Sequence, residues 1–261
     1  MEKMNNEINS RNIFVIRTLI ANLAFVELDN GWVLVDAGIP FSGPYILKAA
    51  KRKFGEHTAP LAIVLTHGHF DHVGALDFLL SKWNVPVYAH DNELPFLTGK
   101  KDYLPPDPTV GGGLLAAISP LYPRRAINLG SKVVALPQNG EIPFMPGWRW
   151  IFTPGHTAGH VSLFRDEDRA LIAGDVFITV KQESALAVLA QTLEIHGPPA
   201  YFTPDWMMAK QSVERITALE PDWAVTGHGK SIGGDFLLNS LKKLLTDFET
   251  TEIPHNGKYV H

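Results

Sequence analysis

Short apolar runs of strand length, separated by turn residues, fill the first part of the chain. Three of them, 13–16, 23–28 and 32–35, follow one another closely, and an Asp-Asn-Gly stretch at 29–31 joins the last two. Asn-Gly between two apolar runs is a strong signal for a β-hairpin. A helical pattern over about 43–54 comes next. The pattern therefore predicts a meander of strands followed by a helix.

Strands and helices continue through the rest of the chain. The predicted strands are 61–65, 85–89, 133–136, 148–152, 161–164, 170–173 and 223–226, and the predicted helices are about 73–83, 185–193, 204–219 and 236–248. Thr203 is the predicted cap of the helix at 204–219, because Pro204 suits a first helical position. Each half of the chain runs through strands and then helices, which favours a two-sheet sandwich flanked by helices over an alternating parallel sheet.

The segment from about 91 to 130 differs from its surroundings. Prolines recur along it, and a Gly-Gly-Gly run interrupts it at 111–113. A segment of this length with little regular structure is usually functional or disordered. We interpret it as a lid-like insertion in a single domain spanning 1–261. Within it, Tyr103 and Tyr122 are candidate substrate contacts.

Composition narrows the function classes. The 261 residues are 45% hydrophobic, enough for a sizeable core, and the formal net charge of -4 offers no basic surface for nucleic acid. No apolar segment approaches the length of a membrane span, and the polar stretch 1–12 lacks the apolar part of an export signal. We therefore expect a cytoplasmic protein that binds neither nucleic acid nor membranes. Since there is no cysteine, any metal must be held by nitrogen and oxygen.

The candidate chemistry is concentrated at 66–72, which reads Thr-His-Gly-His-Phe-Asp-His. It follows the apolar run 61–65 and precedes a helical pattern. Side chains two apart in an extended turn project to the same side, so His67 and His69 can hold one ion together. Asp71 and His72 lie where the helix starts and leave room for a second ion. The pattern arises by chance with an expectation of about one in a thousand.

Three later turns repeat this arrangement. His156, Asp175 and His228 each come just beyond a predicted strand, and each has a glycine beside it or one residue away. Glycine lets the backbone bend tightly and approach an ion. One such histidine would carry little weight, but the three together with 66–72 make coincidence improbable. His160, which follows closely after His156, is interpreted as structural.

At this point the sequence resembles the metallo-β-lactamase-fold hydrolase superfamily, which includes glyoxalase II-like thioesterases and acyl-homoserine lactonases. The resemblance covers about 25–229 and matches all seven metal-ligand positions of the family. It implies an α/β fold, an αββα sandwich of two mixed β-sheets flanked by helices, with the site at one edge between the sheets. It also implies two ions bridged by Asp175, the first held by His67, His69 and His156 and the second by Asp71, His72 and His228.

Histidine and carboxylate ligands suit two divalent ions, most simply zinc, with iron or manganese as alternatives. Two ions about 3.5 to 4 Å apart can share a water and generate hydroxide at neutral pH. We therefore expect a bridging hydroxide to attack the carbonyl of an ester, thioester or lactone. Asp71 and Asp175 are the catalytic candidates. Asp36 resembles a family position that hydrogen-bonds a ligating histidine.

The substrate stays open at this level. Family lactonases carry a tyrosine three positions after the bridging aspartate, where this chain has Ile178, and glyoxalase II-like enzymes carry one where it has Lys230. Further candidate contacts to a small-molecule substrate are His196, Tyr201, Phe202 and Lys230. A mononuclear iron dioxygenase acting on a persulfide and a non-catalytic metal-binding module are the alternatives. Monomer and homodimer are equally compatible with the sequence.

Overall fold

Two β-sheets pack face to face in the computed structural model, which describes residues 12–260. The first sheet has six strands in chain order, β1 (Ile13–Thr18), β2 (Ala21–Leu28), β3 (Gly31–Val35), β4 (Ala62–Val64), β5 (Val87–Ala89) and β6 (Val133–Ala135). Its first three strands are antiparallel, and β3 to β6 are parallel. The predicted hairpin at 29–31 is confirmed, because Leu28 pairs with Gly31 across the turn.

The second sheet has five strands, β7 (Trp148–Phe152), β8 (Val161–Arg165), β9 (Ala170–Gly174), β10 (Trp223–Thr226) and β11 (Ile232–Gly233), again in chain order across the sheet. The pair β9 and β10 is parallel, while the other pairs are antiparallel. Both sheets are therefore mixed, as predicted.

The core between the sheets follows from the two-residue period of the strands. Val26 and Val33 of the first sheet point inwards and pack in one cluster with Leu163 and Ile172 of the second. Phe25, one position from Val26, points to the opposite face and packs against Trp32 and the first long helix. Strands with both faces buried read as continuous apolar runs, which is the pattern seen in the sequence.

Helices cover the outer faces of both sheets. They are α1 (Gly43–Phe54), α2 (Phe70–Val73), α3 (Leu76–Lys82), α4 (Leu94–Leu97), α5 (Leu114–Ala117), α6 (Ala185–Ala190), α7 (Trp206–Ala218) and α8 (Gly234–Thr251). The helices α1 and α3 pack on the first sheet, and α7 and α8 pack on the second. The layers are thus α, β, β and α, which confirms the predicted fold.

Four predicted helices have different boundaries, and the one expected at 236–248 is longer, at Gly234–Thr251. The helix expected over about 73–83 is divided into α2 and α3, because the Gly74 and Ala75 amides donate to the carbonyls of residues 38 and 37 and not within the helix. The helix expected over 185–193 ends at Ala190. The helix expected at 204–219 begins at Trp206, and its cap is Asp205, whose side chain accepts the Met208 amide at 2.9 Å. The prediction of Thr203 as the cap was therefore wrong.

The segment 91–130 consists of short helical turns fastened to the rest of the fold. The Leu115 amide donates to the Glu183 carbonyl at 3.0 Å, and the Asp107 amide donates to the Tyr201 carbonyl at 2.8 Å. Its role as a lid stays a prediction. None of the helices among residues 12–260 is long and apolar enough to cross a membrane. Most of the polar stretch 1–12, used above against an export signal, lies outside the described residues.

Candidate metal centre

The turn after β4 carries the first group of histidines. The strand ends at Val64, the turn follows, and α2 begins at Phe70, so Asp71 and His72 lie in the first turn of a helix. The Thr66 carbonyl accepts the Val161 amide of β8 at 2.9 Å. This bond joins the turn to the second sheet, so its side chains lie between the two sheets.

The other three candidate ligands come from the second sheet. His156 follows β7, Asp175 follows β9 and His228 follows β10. Because β9 and β10 are parallel neighbours, their carboxyl ends lie side by side, and this brings Asp175 and His228 together. The Cβ of a residue at Gly227 would overlap the Asp175 carboxylate, so glycine is required there. All seven candidate ligands are buried.

The Asp175 carboxylate lies between the histidines. Its Oδ2 is 3.1 Å from Nε2 of His228 and 3.4 Å from Nε2 of His156, and its Oδ1 is 3.6 Å from Nε2 of His72. One carboxylate oxygen therefore faces imidazoles from two different turns, while the other faces the first helix turn.

The seven residues form three overlapping groups that could each hold an ion. Within each group, one ligand atom per residue lies within 4.8 Å of the others. The groups are His67, His69 and His156; His67, His72 and Asp175; and Asp71, His72 and His228. The first and third match the two ligand sets that the resemblance implies, and Asp175 lies between them. Their role as ligands stays a prediction that this geometry supports.

Asp36 fixes the orientation of two of the imidazoles. Its Oδ2 accepts Nδ1 of His72 at 2.9 Å and the Thr66 hydroxyl at 2.8 Å, and its Oδ1 accepts the Thr66 amide at 2.8 Å. Since that hydroxyl donates to Asp36, it can accept Nδ1–H of His67, 3.1 Å away. Both imidazoles then carry their proton on Nδ1 and present Nε2 to the centre. The predicted hydrogen bond from Asp36 to a candidate ligand is thus confirmed.

Two more imidazoles are oriented in the same way. The Nδ1 of His228 donates to the Ile20 carbonyl at 2.8 Å. The Nδ1 of His156 lies 3.3 Å from the Thr203 hydroxyl, which itself donates to the Pro199 carbonyl and can therefore accept. Metal-binding histidines commonly have such a partner on the second ring nitrogen. Here it leaves Nε2 free to act as a ligand.

His160 holds Asp175 through the backbone. Its Nε2 accepts the Asp175 amide at 2.8 Å, and its Nδ1 lies 2.8 Å from the Thr153 hydroxyl. Because Nε2 accepts, the ring proton is on Nδ1 and donates to Thr153. The structural interpretation of His160 is therefore confirmed, and the ring sets the position of the Asp175 main chain.

The candidate histidines fall into two electrostatic classes, one dominated by burial and one by neighbouring carboxylates. The first class comprises three rings. Burial lowers the pKa of His67 and His156 well below the usual value and that of His69 to about 3. These three rings are neutral at physiological pH, which is the form that binds a metal. Nδ1 of His69 and Nε2 of His156 are only 2.9 Å apart, so both are placed for a shared ion.

Carboxylates dominate the other half of the cluster. Burial opposes the charged form of His72, but Asp175 and Asp36 outweigh it and raise its pKa to about 10. Burial likewise opposes the charge on His228, whose pKa is raised by Asp175. Burial would raise the pKa of Asp175, yet the neighbouring His228 and His72 hold it well below its usual range. The carboxylates thus require positive charge beside them.

The residues present fit divalent ions. Among residues 12–260, the buried atoms without a hydrogen-bond partner include Nε2 of His67, Nε2 of His72 and Oδ1 of Asp175. An unpartnered buried polar group costs about 1–3 kcal/mol. All three atoms point into the centre, and nitrogen and oxygen ligands of this kind suit zinc, iron or manganese. The cluster can therefore accept metal ions without rearranging its hydrogen bonds to the scaffold.

An aromatic cluster borders the candidate ligands. The Phe202 ring stacks 4.7 Å from that of His69 and 6.2 Å from that of Tyr122, and Phe70 and Tyr201 complete the group. Phe202 and Tyr201 come from a 3₁₀ turn at 200–202, and Tyr122 comes from the 91–130 segment. The sequence-predicted candidates Tyr122, Tyr201 and Phe202 are thus brought together beside the ligands.

The other three substrate candidates are held by acidic residues or are exposed. The Tyr103 ring is 4.6 Å from His69, but its hydroxyl donates to the buried Glu93. The His196 ring lies between Glu194 and Glu252, 3.3 and 3.8 Å away, and the Lys230 side chain is exposed. Substrate contacts by these three residues stay predictions. Sequence analysis missed Glu93, which follows the strand β5 and has no motif around it.

Comparison with known proteins agrees with this geometry. Residues 16–228 match the family model of the metallo-beta-lactamase superfamily. The chain is 50% identical to the probable metallo-hydrolase YflN of Bacillus subtilis (strain 168) over 228 residues, which is 86% of either chain. It is 24% identical over 214 residues to the N-acyl homoserine lactonase of Bacillus thuringiensis, which covers 73% of this chain and 72% of the relative.

Solved structures resemble it over most of their length. A metallo-beta-lactamase superfamily protein from the archaeon Sulfolobus tokodaii has a TM-score of 0.61 at 21% identity, covering 95% of this chain and 90% of that one. TTHA1623, crystallised in a di-iron-bound form, has a TM-score of 0.56 at 26% identity, covering 91% and 96%. The first of these similarities concerns the fold alone.

Proposed function

This chain belongs to the metallo-beta-lactamase superfamily and is a metal-dependent hydrolase, and we propose that it uses two divalent ions to hydrolyse an ester, thioester or lactone. The observation that carries the proposal is the position of Asp175, whose two carboxylate oxygens face imidazoles of both predicted ligand sets. A carboxylate in that position can bridge two ions. A one-ion site would leave Asp71, His72 and His228 without a use.

Two bound ions would supply an activated water nucleophile and would polarise the substrate carbonyl. The chain itself contributes orientation. Asp36 and Thr66 aim two imidazoles, and His160 holds the main chain of Asp175. Asp71 has one oxygen 3.6 Å from His228, and its pKa is raised by burial. It is the residue best placed to accept a hydrogen bond from the nucleophilic water.

The surroundings favour a substrate with an apolar group next to its carbonyl. Phe70, Tyr122, Tyr201 and Phe202 border the ligands, and Tyr201 is buried. Where family lactonases have tyrosine, Ile178 is buried and apolar, so homoserine lactones are not the favoured substrate although a relative is named for them. We propose esters or thioesters of apolar acids first. Because the candidate ligands are buried, we propose that the substrate is a small molecule.

Iron and zinc are both compatible with the donor set. The structural relative in a di-iron-bound form makes iron a candidate, and all-nitrogen-and-oxygen sites take zinc equally well. Elemental mass spectrometry on protein purified without added metal should give about two ions per chain. One iron per chain would instead favour the dioxygenase, which oxygen uptake with a persulfide would then test.

Asp175→Ala tests the bridging role. The variant should bind about one ion per chain or fewer and lose hydrolysis of p-nitrophenyl esters. Asp29→Ala, in the exposed hairpin turn, is the matched control and should keep both properties. Retention of two ions by Asp175→Ala would contradict the bridge. Two ions in the native protein without hydrolysis of esters, thioesters or lactones would contradict the reaction while leaving the metal centre intact.

A further inference from the structure

Glu93 is fully buried, lies outside both ligand sets and accepts four hydrogen bonds. Its Oε1 accepts the Thr157 hydroxyl at 2.6 Å and the Gly159 amide at 2.8 Å. Its Oε2 accepts the Gly68 amide at 3.0 Å and the Tyr103 hydroxyl. Burying a carboxylate is costly unless it is fully hydrogen-bonded. The four donors meet that requirement for Glu93, so the carboxylate and its donors form one buried unit.

The two oxygens serve different turns. Gly68 lies between His67 and His69, so Oε2 holds the turn after β4. Thr157 directly follows His156, so Oε1 holds the turn after β7. These turns come from different sheets and carry the three imidazoles of the first predicted ligand set. A single carboxylate group, that of Glu93, therefore bridges the two turns by hydrogen bonds.

The packing around Glu93 is tight. A Cβ at Gly159 would lie 2.8 Å from Cγ of Glu93, and a Cβ at Gly68 would overlap the Tyr103 hydroxyl. The Tyr103 ring is stacked on Phe96, with ring centres 4.1 Å apart, and is 4.6 Å from the ring of His69. Both turns are therefore in close contact with the Glu93 carboxylate or with Tyr103.

We propose that Glu93 is a positioning residue that sets the separation of His69 and His156 and so tunes the first metal position. This inference rests on the proposed two-ion function. All four partners are donors, and each oxygen accepts two of them. A carboxylate can accept all four, whereas an amide must turn a donating NH₂ group towards one of the turns. That turn would be displaced and the imidazole spacing would change.

Glu93→Gln is the main test, with metal affinity as the readout. Chelator competition should show an affinity of the first ion that is reduced about 10–100-fold, the range seen when partners of metal ligands are lost. The second ion, held by Asp71, His72 and His228, should keep its affinity. Tyr103→Phe is the matched control. It removes a donor that belongs to neither histidine turn and keeps the ring and both glycine bonds, so the affinity for both ions should stay at the native value.

Thr157→Val provides a second variant that keeps the buried carboxylate and should fold even where Glu93→Gln does not. It removes one bond from the His156 side only and should weaken the first ion several-fold. Unchanged affinity of the first ion in both variants would overturn the inference. An equal loss of both ions with a lower melting temperature would also overturn it, because that is the result of general destabilisation. Native protein that binds no ion would instead refute the proposed function.

Discussion

Four of the five imidazoles of the centre have a hydrogen-bond partner on the second ring nitrogen that sets their direction. Asp36 is the most heavily used of these partners, since it accepts the Thr66 amide, the Thr66 hydroxyl and Nδ1 of His72. Its backbone has a φ of 62°, a left-handed conformation that asparagine and aspartate tolerate best. A change to asparagine therefore alters the charge and the donor pattern while it keeps the backbone.

Asp36→Asn should weaken metal binding without unfolding the protein. The new NH₂ group would face at least one of three donors, so the His72 ring would lose its fixed orientation. The affinity of the ion at Asp71, His72 and His228 should fall about 10–100-fold. Chelator competition measures this, with Asp29→Asn as the exposed control. A native affinity in Asp36→Asn would show that the ring is held by packing alone.

His196 offers a pH-dependent contribution to stability away from the metal centre. The Glu252 carboxylate, 3.8 Å from Nδ1 of His196, raises the pKa of His196 against the effect of burial. Burial would raise the pKa of Glu252, but His196 and the donating Gly197 amide hold it below its usual value. The charged pair therefore stabilises the fold most between about pH 4.5 and 6.5. Its contribution is lost as pH rises through the raised pKa of His196 and also as pH falls through the lowered pKa of Glu252.

His196→Gln should show this window directly. The native protein should exceed the variant in free energy of unfolding at pH 6, and the difference should shrink by pH 9. Urea unfolding at both pH values measures it. Glu252→Gln is the matched variant and should show the same trend, because either change removes the pair. A difference that is independent of pH would mean that packing, and not charge, accounts for the effect.

At the scale of elements, the apolar runs were enough to predict ten of the eleven strands, since most have both faces buried. The helix starts were harder. Thr203 and Asp205 are both capable caps, and Pro204 favours the first of them. The structure uses Asp205 because the Thr203 hydroxyl is engaged with the Pro199 carbonyl and with His156. A hydrogen bond between residues so far apart in the sequence cannot be predicted from the local pattern.

The two residues should therefore respond differently to substitution. Asp205→Ala should lower the free energy of unfolding by about 1 kcal/mol through loss of the cap and leave metal affinity unchanged. Thr203→Val should weaken the ion held by His156 instead. Thermal or urea unfolding and chelator competition on both variants measure the contrast. Equal loss of stability with native metal affinity in both would contradict the division of roles.

The segment 91–130 was predicted to be a lid, and the structure adds that the C-terminal residues fasten it. The Lys258 amide donates to Asp107 at 2.5 Å, and the Tyr259 hydroxyl donates to the Pro105 carbonyl at 2.6 Å. Asp107 in turn donates its amide to Tyr201 of the aromatic cluster. Asp107 therefore connects residues 258–259 with the aromatic cluster beside the candidate ligands.

Deletion of 257–261 should loosen this segment. Amide hydrogen exchange over 105–113 should accelerate, and KM for an apolar ester should change, while two ions remain bound. Tyr259→Phe removes a single bond and should give a smaller effect in the same direction. Unchanged exchange in the deletion would show that the other contacts alone hold the segment.

At the scale of the whole molecule, the centre lies where the two sheets meet. The first sheet supplies the ligand turn at 67–72, and the second supplies His156, Asp175 and His228. Hydrogen bonds join the two parts directly. Asn22 donates to the Thr226 and Gly229 carbonyls at 2.8 Å each, and Val161 donates to Thr66. The resemblance could suggest which ligands meet, but the joining bonds and the bonds from Thr157 and Gly159 to Glu93 connect residues more than 60 positions apart.

Metal ions bound here would join the two sheets, so their removal should destabilise the whole fold and not only the turns. An ion present at 100 times its Kd contributes about 2.7 kcal/mol to the free energy of unfolding. For a chain of this size that corresponds to a fall in Tm of about 5–10 °C when the ion is lost. Calorimetry before and after chelation measures the change, and adding back zinc or iron should reverse it.

The location of the loss separates two explanations. If the ions join the sheets, hydrogen exchange should accelerate after chelation at 66–72 and also at 226–229, because both parts depend on the same centre. Exchange that rises only at 66–72 would mean that the packing between Val26, Val33, Leu163 and Ile172 holds the sheets together by itself. The ions would then stabilise the ligand turn without joining the two sheets.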